Sequence, residues 1–165
     1  MKFLLAALNT KYIHSNPGIY SLYSYSVKRQ PSLAEYIGIA EYTINNQKGE
    51  ILADIYKRRP DAVGFSCYIW NWNTIQELLP ELPKLLPDTK LWLGGPEVSF
   101  HAEKILAQYT QLTGIMVGEG EETFTQLVRF YHAPKGQLQD IPGLVLPQGR
   151  TQPRELTDMS KLPFL

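Results

Sequence analysis

Short apolar runs alternate with longer amphipathic stretches along most of this chain. The runs are four to eight residues long and have the composition and boundaries of buried strands; they span residues 3–8, 35–42, 62–67, 90–93 and 114–117. Helical spacing of apolar positions follows each of them, at residues 18–28, 46–58, 74–86, 98–108 and 121–131. This alternation predicts a doubly wound, flavodoxin-like (Rossmann-like) α/β fold, with a parallel sheet of about five strands and helices on both faces.

Two local signals refine the predicted elements. The segment from Thr74 to Glu77 has the form of a capping box and predicts a helix start there. Pro80 and Pro83 fall inside the same stretch, so we expect that helix to be kinked or split. After Tyr131 the pattern weakens, with a candidate sixth strand at residues 143–146 and a tail or linker beyond it. We therefore expect a ligand-binding domain over residues 1–133 and a connecting segment over residues 134–165.

Composition narrows the class of protein. Sixteen basic residues balance sixteen acidic ones, and no basic run is longer than three residues, which argues against a nucleic acid partner. The apolar start of the chain is short and lacks a cleavage-type end, and no later apolar stretch approaches the roughly 20 residues of a membrane span. The single cysteine, Cys67, excludes an internal disulfide framework. We expect a cytoplasmic protein without a membrane partner.

Ligands of open parallel sheets bind beyond the carboxyl ends of the strands, so the residues that follow each strand are the site candidates. Gly94 and Gly95 follow the fourth strand and predict either bare backbone against a bulky ligand or a simple tight turn. The glycine-containing segment 118–123 is a poor dinucleotide fingerprint, and Glu121 and Glu122 in the first helical turn would repel an anion. Glu119 and Glu121 are better suited to accept hydrogen bonds from amides or hydroxyls.

Three aromatic residues cluster after the third strand. Tyr68, Trp70 and Trp72 fit no helical or alternating core pattern, so they indicate either a broad, flat ligand or packing of a helix against a loop. Cys67 in the same segment has no activating partner nearby in sequence, and we expect it to be a small buried apolar residue.

The segments that follow the strands resemble a known family. Residues 7–14 (ALNTKYIH), 61–68 (DAVGFSCY), 93–98 (LGGPEV) and 118–124 (GEGEETF) are similar to the amino-terminal cobalamin-binding domain of cobalamin-dependent radical S-adenosylmethionine (SAM) enzymes. This is the group named after the anaerobic magnesium-protoporphyrin IX monomethyl ester oxidative cyclase. Residues 141–145 (IPGLV) and 158–164 (DMSKLPF) resemble the connector that leads into that family's catalytic barrel.

The resemblance implies a function and a set of contact residues. It implies a cobalamin-binding module of a methyltransferase or oxidative cyclase, positioned against a radical SAM barrel of the same parent chain that would hold SAM and a 4Fe-4S cluster. This chain lacks the three cysteines of the cluster motif, so no residue in it is assigned a catalytic role. The implied cobalamin contacts are Asn9, Thr10, His14, Ser66, Tyr68, Ile69, Trp70, Asn71, Gly94, Gly95, Pro96, Glu97, Gly118, Glu119, Gly120 and Glu121.

His14 is the candidate cobalt ligand, but its context departs from the Asp-x-His-x-x-Gly motif of the wider set of cobalamin-binding folds. Tyr12 stands in the place of the aspartate, and Gly18 follows His14 by four residues instead of three. The carboxylate that would orient a metal-bound imidazole is therefore missing, which favours a lower cobalt face without a protein histidine.

Two other classes of function stay open from the residues alone. A flavin- or nucleotide-binding flavodoxin-like domain would need a phosphate loop after the first strand, where only Thr10 and Ser15 suit it. A cobalamin fold that has lost its cofactor could act as an assembly module. A phosphoryl-accepting receiver is excluded, because Asn9 and Ser66 stand where acidic residues are needed.

Overall fold

The computed structural model describes residues 1–11, 15–155, 160 and 163. Its strands are β1 (Phe3–Asn9), β2 (Ile37–Thr43), β3 (Ala62–Ser66), β4 (Lys90–Gly94), β5 (Gly114–Met116), β6 (Leu144–Leu146) and β7 (Gly149–Arg150). Its α-helices are α1 (Pro17–Arg29), α2 (Lys48–Arg58), α3 (Trp72–Leu78), α4 (Leu82–Leu85), α5 (Pro96–Ser99), α6 (Ala102–Gln108) and α7 (Glu121–His132), with 3-10 turns at Pro31–Tyr36 and Leu138–Asp140.

The strands form one sheet in the order β2-β1-β3-β4-β5-β6-β7. The first five in this order are parallel, whereas β6 pairs antiparallel with β5 and β7 antiparallel with β6. The strand order reverses between β1 and β3, as in flavodoxin-like sheets, and this switch point opens a crevice at the carboxyl edge. The predicted doubly wound α/β fold is confirmed.

The sheet is larger than the predicted five or so strands. The candidate sixth strand is present as β6, whose three apolar residues are buried, and a two-residue connection leads from it to β7. Strand β7 consists of two exposed residues, which is too short for an alternating pattern to reveal it. The sequence did not predict this seventh strand at Gly149 and Arg150.

Two helix predictions also need correction. The helix predicted to start at a Thr74 capping box starts at Trp72, so Thr74 lies inside its first turn and caps nothing. The stretch that contains the two prolines is split into α3 and α4, as expected. The single helix predicted for residues 98–108 is two helices, because α5 starts at Pro96, a residue suited to the first helical position, and ends before Phe100.

Two apolar layers cover the two faces of the sheet. Strand β1 is buried along its whole length and contributes side chains to both layers. Phe3, Leu5 and Ala7 belong to one layer, and Leu4, Ala6 and Leu8 belong to the other. The first layer contains residues of α1 and α7, and the second contains residues of α2 to α6. Among the residues that the structure describes, no helix is long and apolar enough to cross a membrane.

Candidate functional site

A crevice of about 220 Å³ opens at the carboxyl ends of β1, β3, β4 and β5, on the face of the sheet that α1 and α7 cover. Its walls combine backbone of glycines with aliphatic side chains, and polar groups stand mainly at its rim. The crevice is lined by Leu5, Gly18, Ile19, Leu22, Gly64, Phe65, Ser66, Tyr68, Gly94, Gly95, Met116, Gly118, Glu119, Gly120 and Glu121.

The crevice exists because the sheet carries small residues where it faces α1 and α7. The strand register places Ala7, Ser66 and Gly94 side by side across β1, β3 and β4. Leu5 and Trp92 lie two residues earlier in β1 and β4, so all of these positions are on the same face of the sheet. In the earlier row, Leu5 and Trp92 pack the core on either side of Gly64, whereas in the last row Ser66 and Gly94 leave the space beside them unfilled. A hollow therefore forms at the carboxyl edge instead of a continuous core.

Gly94 and Gly95 have different reasons to be glycine. A Cβ atom on Gly94 would approach Met116 no closer than 3.7 Å, so its absence leaves open space in the crevice. Gly95 has a φ of 102°, and a Cβ there would lie 2.5 Å from the carbonyl oxygen of Cys67. Gly95 therefore forms the predicted tight turn, whereas bare backbone against a ligand stays a prediction for Gly94.

Helix α1 closes one side of the crevice through a local sequence signal. The Asn16 side chain accepts a hydrogen bond from the Ile19 backbone at 3.2 Å, and Pro17 occupies the first helical turn, so the helix starts here. Gly18 then lies against the strand ends, because a Cβ on it would be 3.2 Å from the Tyr68 hydroxyl oxygen. A larger residue at this position would also meet the Asn16 side-chain oxygen at 3.0 Å, so the Asn16 and Tyr68 side chains would have to shift.

The start of α7 forms the opposite rim. Glu121 accepts a hydrogen bond from Ser21 of α1 at 3.0 Å, and Glu122 accepts one from Tyr25 at 2.6 Å. Burial, followed by the hydrogen bond to Glu122, raises the pKa of Tyr25. The two carboxylates thus link the helices that flank the crevice, and Glu121 stands at its rim as a hydrogen-bond acceptor.

A second cavity of about 350 Å³ adjoins the crevice through Tyr68; we call it the mouth cavity. It is lined by Asn9, Thr10, Ser15, Asn16, Pro17, Tyr68 and Trp70. The rings of Tyr68 and Trp70 stack with centroids 4.5 Å apart and planes within 5° of parallel, and Trp70 is 46% exposed. They present a flat aromatic platform at the carboxyl edge.

The third aromatic residue of the predicted cluster turns inward. Trp72 packs against the core layer of α2 to α6 and meets Tyr109 edge to face, with centroids 6.3 Å apart. Trp72 therefore realises the packing alternative, whereas a broad, flat ligand at Tyr68 and Trp70 stays a prediction.

Most of the predicted contact residues converge on these two cavities, but several do not line either of them. Asn71 is fully buried; its amide nitrogen donates to the carbonyls of Leu8 and Ser66, and its oxygen accepts from the Tyr68 backbone. Ile69 is 79% exposed. Pro96 and Glu97 lie at the start of α5, outside both linings. His14, with Tyr12, lies outside the described residues.

Sequence reasoning missed the apolar wall of the crevice. Leu5, Ile19, Leu22, Gly64, Phe65 and Met116 line it but belong to strand and helix interiors, where they read as ordinary core. The available signal was the parity of the strands, which places Gly64 and Ser66 on the same face of β3. The segment from Asn16 to Gly18 was a second signal, because it marks a helix start with a glycine turned to the sheet.

The described residues contain no cluster of three or more histidine, cysteine, aspartate or glutamate side chains arranged to hold a metal ion. Cys67 is fully buried in the core, as predicted, and burial raises the pKa of its thiol. Nothing in this part of the chain therefore offers a thiolate for catalysis or for a cluster.

The family model for the B12 binding domain matches residues 26–128, which is more than half of the chain. The chain belongs to the B12-binding domain family. Its crevice at the β1/β3 switch point lies where sheets of this kind bind ligands.

Curated relatives of this B12-binding domain are larger proteins. The chain is 30% identical over 111 residues to the hopanoid C-3 methylase of Methylococcus capsulatus, and this match covers 66% of the chain and 21% of the methylase. It is 23% identical over 90 residues to TokK of Streptomyces tokunonensis, a cobalamin-dependent radical SAM methyltransferase, covering 54% of this chain and 13% of that protein. The chain is homologous to a part of such enzymes, and the matched regions span 13% and 21% of these two relatives' length.

Solved structures show the same fold. The cobalamin-dependent SAM radical enzyme OxsB, with aqua-cobalamin and SAM bound, superimposes with a TM-score of 0.75 at 17% identity, over 97% of this chain and 23% of that chain. A cobalamin-binding protein from Desulfitobacterium hafniense superimposes with a TM-score of 0.50 at 15% identity, over 82% of this chain and 59% of that chain.

Proposed function

We propose that this B12-binding domain holds cobalamin with its nucleotide tail in the crevice and its corrin ring across the mouth cavity. The observation that carries the proposal is the crevice at the switch point, lined by the neighbouring small residues Ser66 and Gly94, in a domain of this family. The backbone of Gly94 and the Ser66 side chain are the groups that the tail would contact first.

The dimensions of the two cavities support this division. Pockets that enclose a whole drug-sized ligand measure roughly 300–1,000 Å³, and the crevice at about 220 Å³ is smaller. It suits a narrow, flat group such as the benzimidazole end of the tail, and Leu5, Ile19 and Met116 give it the apolar walls that such a ring needs. The corrin is too broad to enter and would remain at the mouth.

The rim offers the polar groups that the amide-bearing edge of a corrin requires. Asn9, Thr10 and Glu121 supply hydrogen-bonding side chains, and Tyr68 and Trp70 supply a flat apolar surface. Because Tyr12 replaces the aspartate of the usual histidine motif, we propose that cobalt is held here without a histidine ligand, with His14 contributing at most a loop contact.

We further propose that the domain serves a radical SAM barrel in the same parent chain, which would bind SAM and a 4Fe-4S cluster. Residues 134–165 would lead from the sheet toward that barrel. When bound, cobalamin would supply organometallic methyl chemistry or cobalt redox chemistry, and this chain would orient the corrin. Methyl transfer or an oxidative cyclisation would be the parent reaction.

Cobalamin binding is tested by mixing the purified domain with hydroxocobalamin, desalting it and recording the corrin absorption band. Wild-type protein and a Gly94→Ala variant are expected to retain the band, whereas Gly94→Val, which extends a branched side chain into the crevice, should lose at least about tenfold in affinity. Gly49→Ala, in the exposed first turn of α2 with no atom near the new methyl group, is the matched control.

A folded wild-type domain that retains no corrin would refute the proposal. Retention that is equal in Gly94→Val and in the control would show that cobalamin binds elsewhere on the domain. For the axial ligand, His14→Ala is expected to leave the retained band unchanged, and loss of the band would assign His14 as the anchor.

A further inference from the structure

Asn9 at the mouth cavity is held by a neighbour on the edge strand of the sheet. Its amide nitrogen donates to the Glu41 carboxylate at 2.6 Å. Glu41 lies on β2 and shares the sheet face of Asn9, because Ala7 pairs with Glu41 and Asn9 follows Ala7 by two residues. The contact joins the last residue of β1 to the neighbouring strand.

Glu41 also lies near the Tyr20 side chain of α1. The hydrogen bond from the Tyr20 hydroxyl of α1 to Glu41, with smaller contributions from burial and charge, raises the pKa of Tyr20. Glu41 thus accepts a hydrogen bond from Asn9 of the sheet and lies beside Tyr20 of the helix that closes the crevice. Neither Glu41 nor Tyr20 lines the two cavities, so neither would contact a ligand bound there.

This pairing determines which end of the Asn9 amide is available. A carboxylate only accepts hydrogen bonds, so Asn9 must turn its NH₂ group toward Glu41. Its carbonyl oxygen takes no part in that contact, so it is the acceptor that this side chain can offer to the mouth cavity, which Asn9 lines. Asn9 is 92% buried, which favours a fixed orientation, because a reversed amide would bring two acceptors together in a partly buried place.

We infer that Glu41 is a positioning residue that fixes the Asn9 amide with its carbonyl oxygen turned away from Glu41, so that this oxygen serves the mouth cavity as an acceptor and favours an N–H donor on the ligand. This inference rests on the proposed binding of cobalamin. It assigns to Asn9 one of the primary amide arms at the edge of the corrin, with the arm's NH₂ group donating to the Asn9 carbonyl oxygen. A carboxylate in place of that arm would meet a second acceptor and be rejected.

The test compares cobalamin with its monocarboxylate derivatives, in each of which one propionamide arm has been hydrolysed to an acid. We expect wild-type protein to bind one derivative at least about tenfold more weakly than cobalamin. In Glu41→Gln the neighbouring amide can donate as well as accept, so Asn9 can rotate and offer its NH₂ group to the acid. The discrimination should then fall to within about threefold.

Glu50→Gln is the matched control, since Glu50 also accepts a hydrogen bond from an asparagine, Asn46, at 3.2 Å but lies on α2, away from both cavities. It should keep the wild-type discrimination. Asn9→Ala, which removes the oriented carbonyl, should abolish it, so the test does not depend on one variant.

The outcomes separate the two proposals. Wild-type protein that binds no cobalamin overturns the proposed function and this inference with it. Cobalamin binding with equal affinity for every monocarboxylate, or discrimination that Glu41→Gln leaves at the wild-type ratio, overturns the inference alone. A general weakening of binding cancels, because the readout is a ratio of two affinities measured on one variant.

Discussion

Replacing Gly95 by alanine should destabilise the domain strongly, whereas the same change at its neighbour Gly94 should leave folding almost unaltered. Gly95 has φ 102° and ψ 170°, a region open essentially to glycine alone, and placing another residue there costs about 1–3 kcal/mol. The added Cβ would also lie 2.5 Å from the Cys67 carbonyl oxygen and 2.9 Å from its nitrogen. Both are main-chain atoms and cannot swing aside as a side chain can.

Relief of that contact would disturb hydrogen bonds that hold the strand ends together. The Cys67 nitrogen donates to the Gly94 carbonyl at 2.8 Å, and its oxygen accepts from the Glu97 nitrogen at 3.3 Å. Overpacking of this kind costs typically about 1–3 kcal/mol, so with the backbone strain we expect a loss of about 4 kcal/mol. Domains of this size are stable by about 5–15 kcal/mol, so the loss is a large fraction of the total.

The assay is urea unfolding followed by far-ultraviolet circular dichroism, with the free energy of unfolding compared between the two variants. Gly94→Ala should stay within about 1 kcal/mol of wild type, because its Cβ meets Met116 at ordinary contact distances of 3.7 and 3.8 Å. A Gly95→Ala protein within about 1 kcal/mol of wild type would refute the assignment of Gly95 to the fold rather than to the ligand.

Three further changes test other parts of the account. Asn71→Ala should cost about 2–4 kcal/mol in urea unfolding, because it leaves main-chain groups of two strand ends unpaired. Tyr131→Phe should cost about 1–3 kcal/mol, since a buried indole loses its acceptor. Burial raises the pKa of Tyr131 from 10.0 to about 12. The stability difference between wild type and Tyr131→Phe should therefore be complete below pH 10 and shrink as the pH rises toward 12, which thermal unfolding at several pH values would measure. Partial burial favours a higher pKa for Asp54, but hydrogen bonds from Tyr42 and Arg58 outweigh it and hold this pKa below its usual range. Asp54→Asn should therefore cost under about 1 kcal/mol at neutral pH and nothing once the pH has fallen below the lowered value, a difference that chemical unfolding at several pH values would reveal.

The strand pattern predicted the sheet because each parallel strand is buried on at least part of both faces. Strand β1 is the clearest case, with seven buried residues in a row. Strand β7 was not predicted, because its two residues are exposed and show no hydrophobic pattern. It belongs to the sheet only through its antiparallel pairing with β6. The turn before β6 depends on Gly143, whose φ of 85° is invisible in the pattern of apolar positions.

The site was only partly visible in the sequence, because its depth arises from register between strands. Ser66 and Gly94 were identified as strand-end residues, but that they stand beside Ala7 in one row follows from pairing that a single sequence does not encode locally. Gly18 was missed for a similar reason, since its contact with Tyr68 joins a helix start to a distant loop. Asn71 looked like a ligand contact because a buried structural asparagine and an exposed one are identical in sequence.

The corrections at the helices have a local physical cause. The Thr74 capping box was convincing as a motif, but the loop after β3 is already fixed by Asn71, which bonds to three main-chain groups and makes the helix start at Trp72. Tertiary hydrogen bonds thus overrode a local preference. A local capping preference is worth about 1 kcal/mol. The hydrogen bonds of a fully paired, buried polar side chain together contribute more than this to the stability of the loop conformation.

The central claim is that the crevice beside Gly94 receives the nucleotide tail of cobalamin, and cobinamide, which keeps the corrin but lacks that tail, tests it directly. Equilibrium titration should show wild-type protein binding cobalamin at least about tenfold more tightly than cobinamide, with that preference lost in Gly94→Val. Equal affinity for the two corrinoids in wild-type protein, or a preference that survives Gly94→Val unchanged, would contradict the claim.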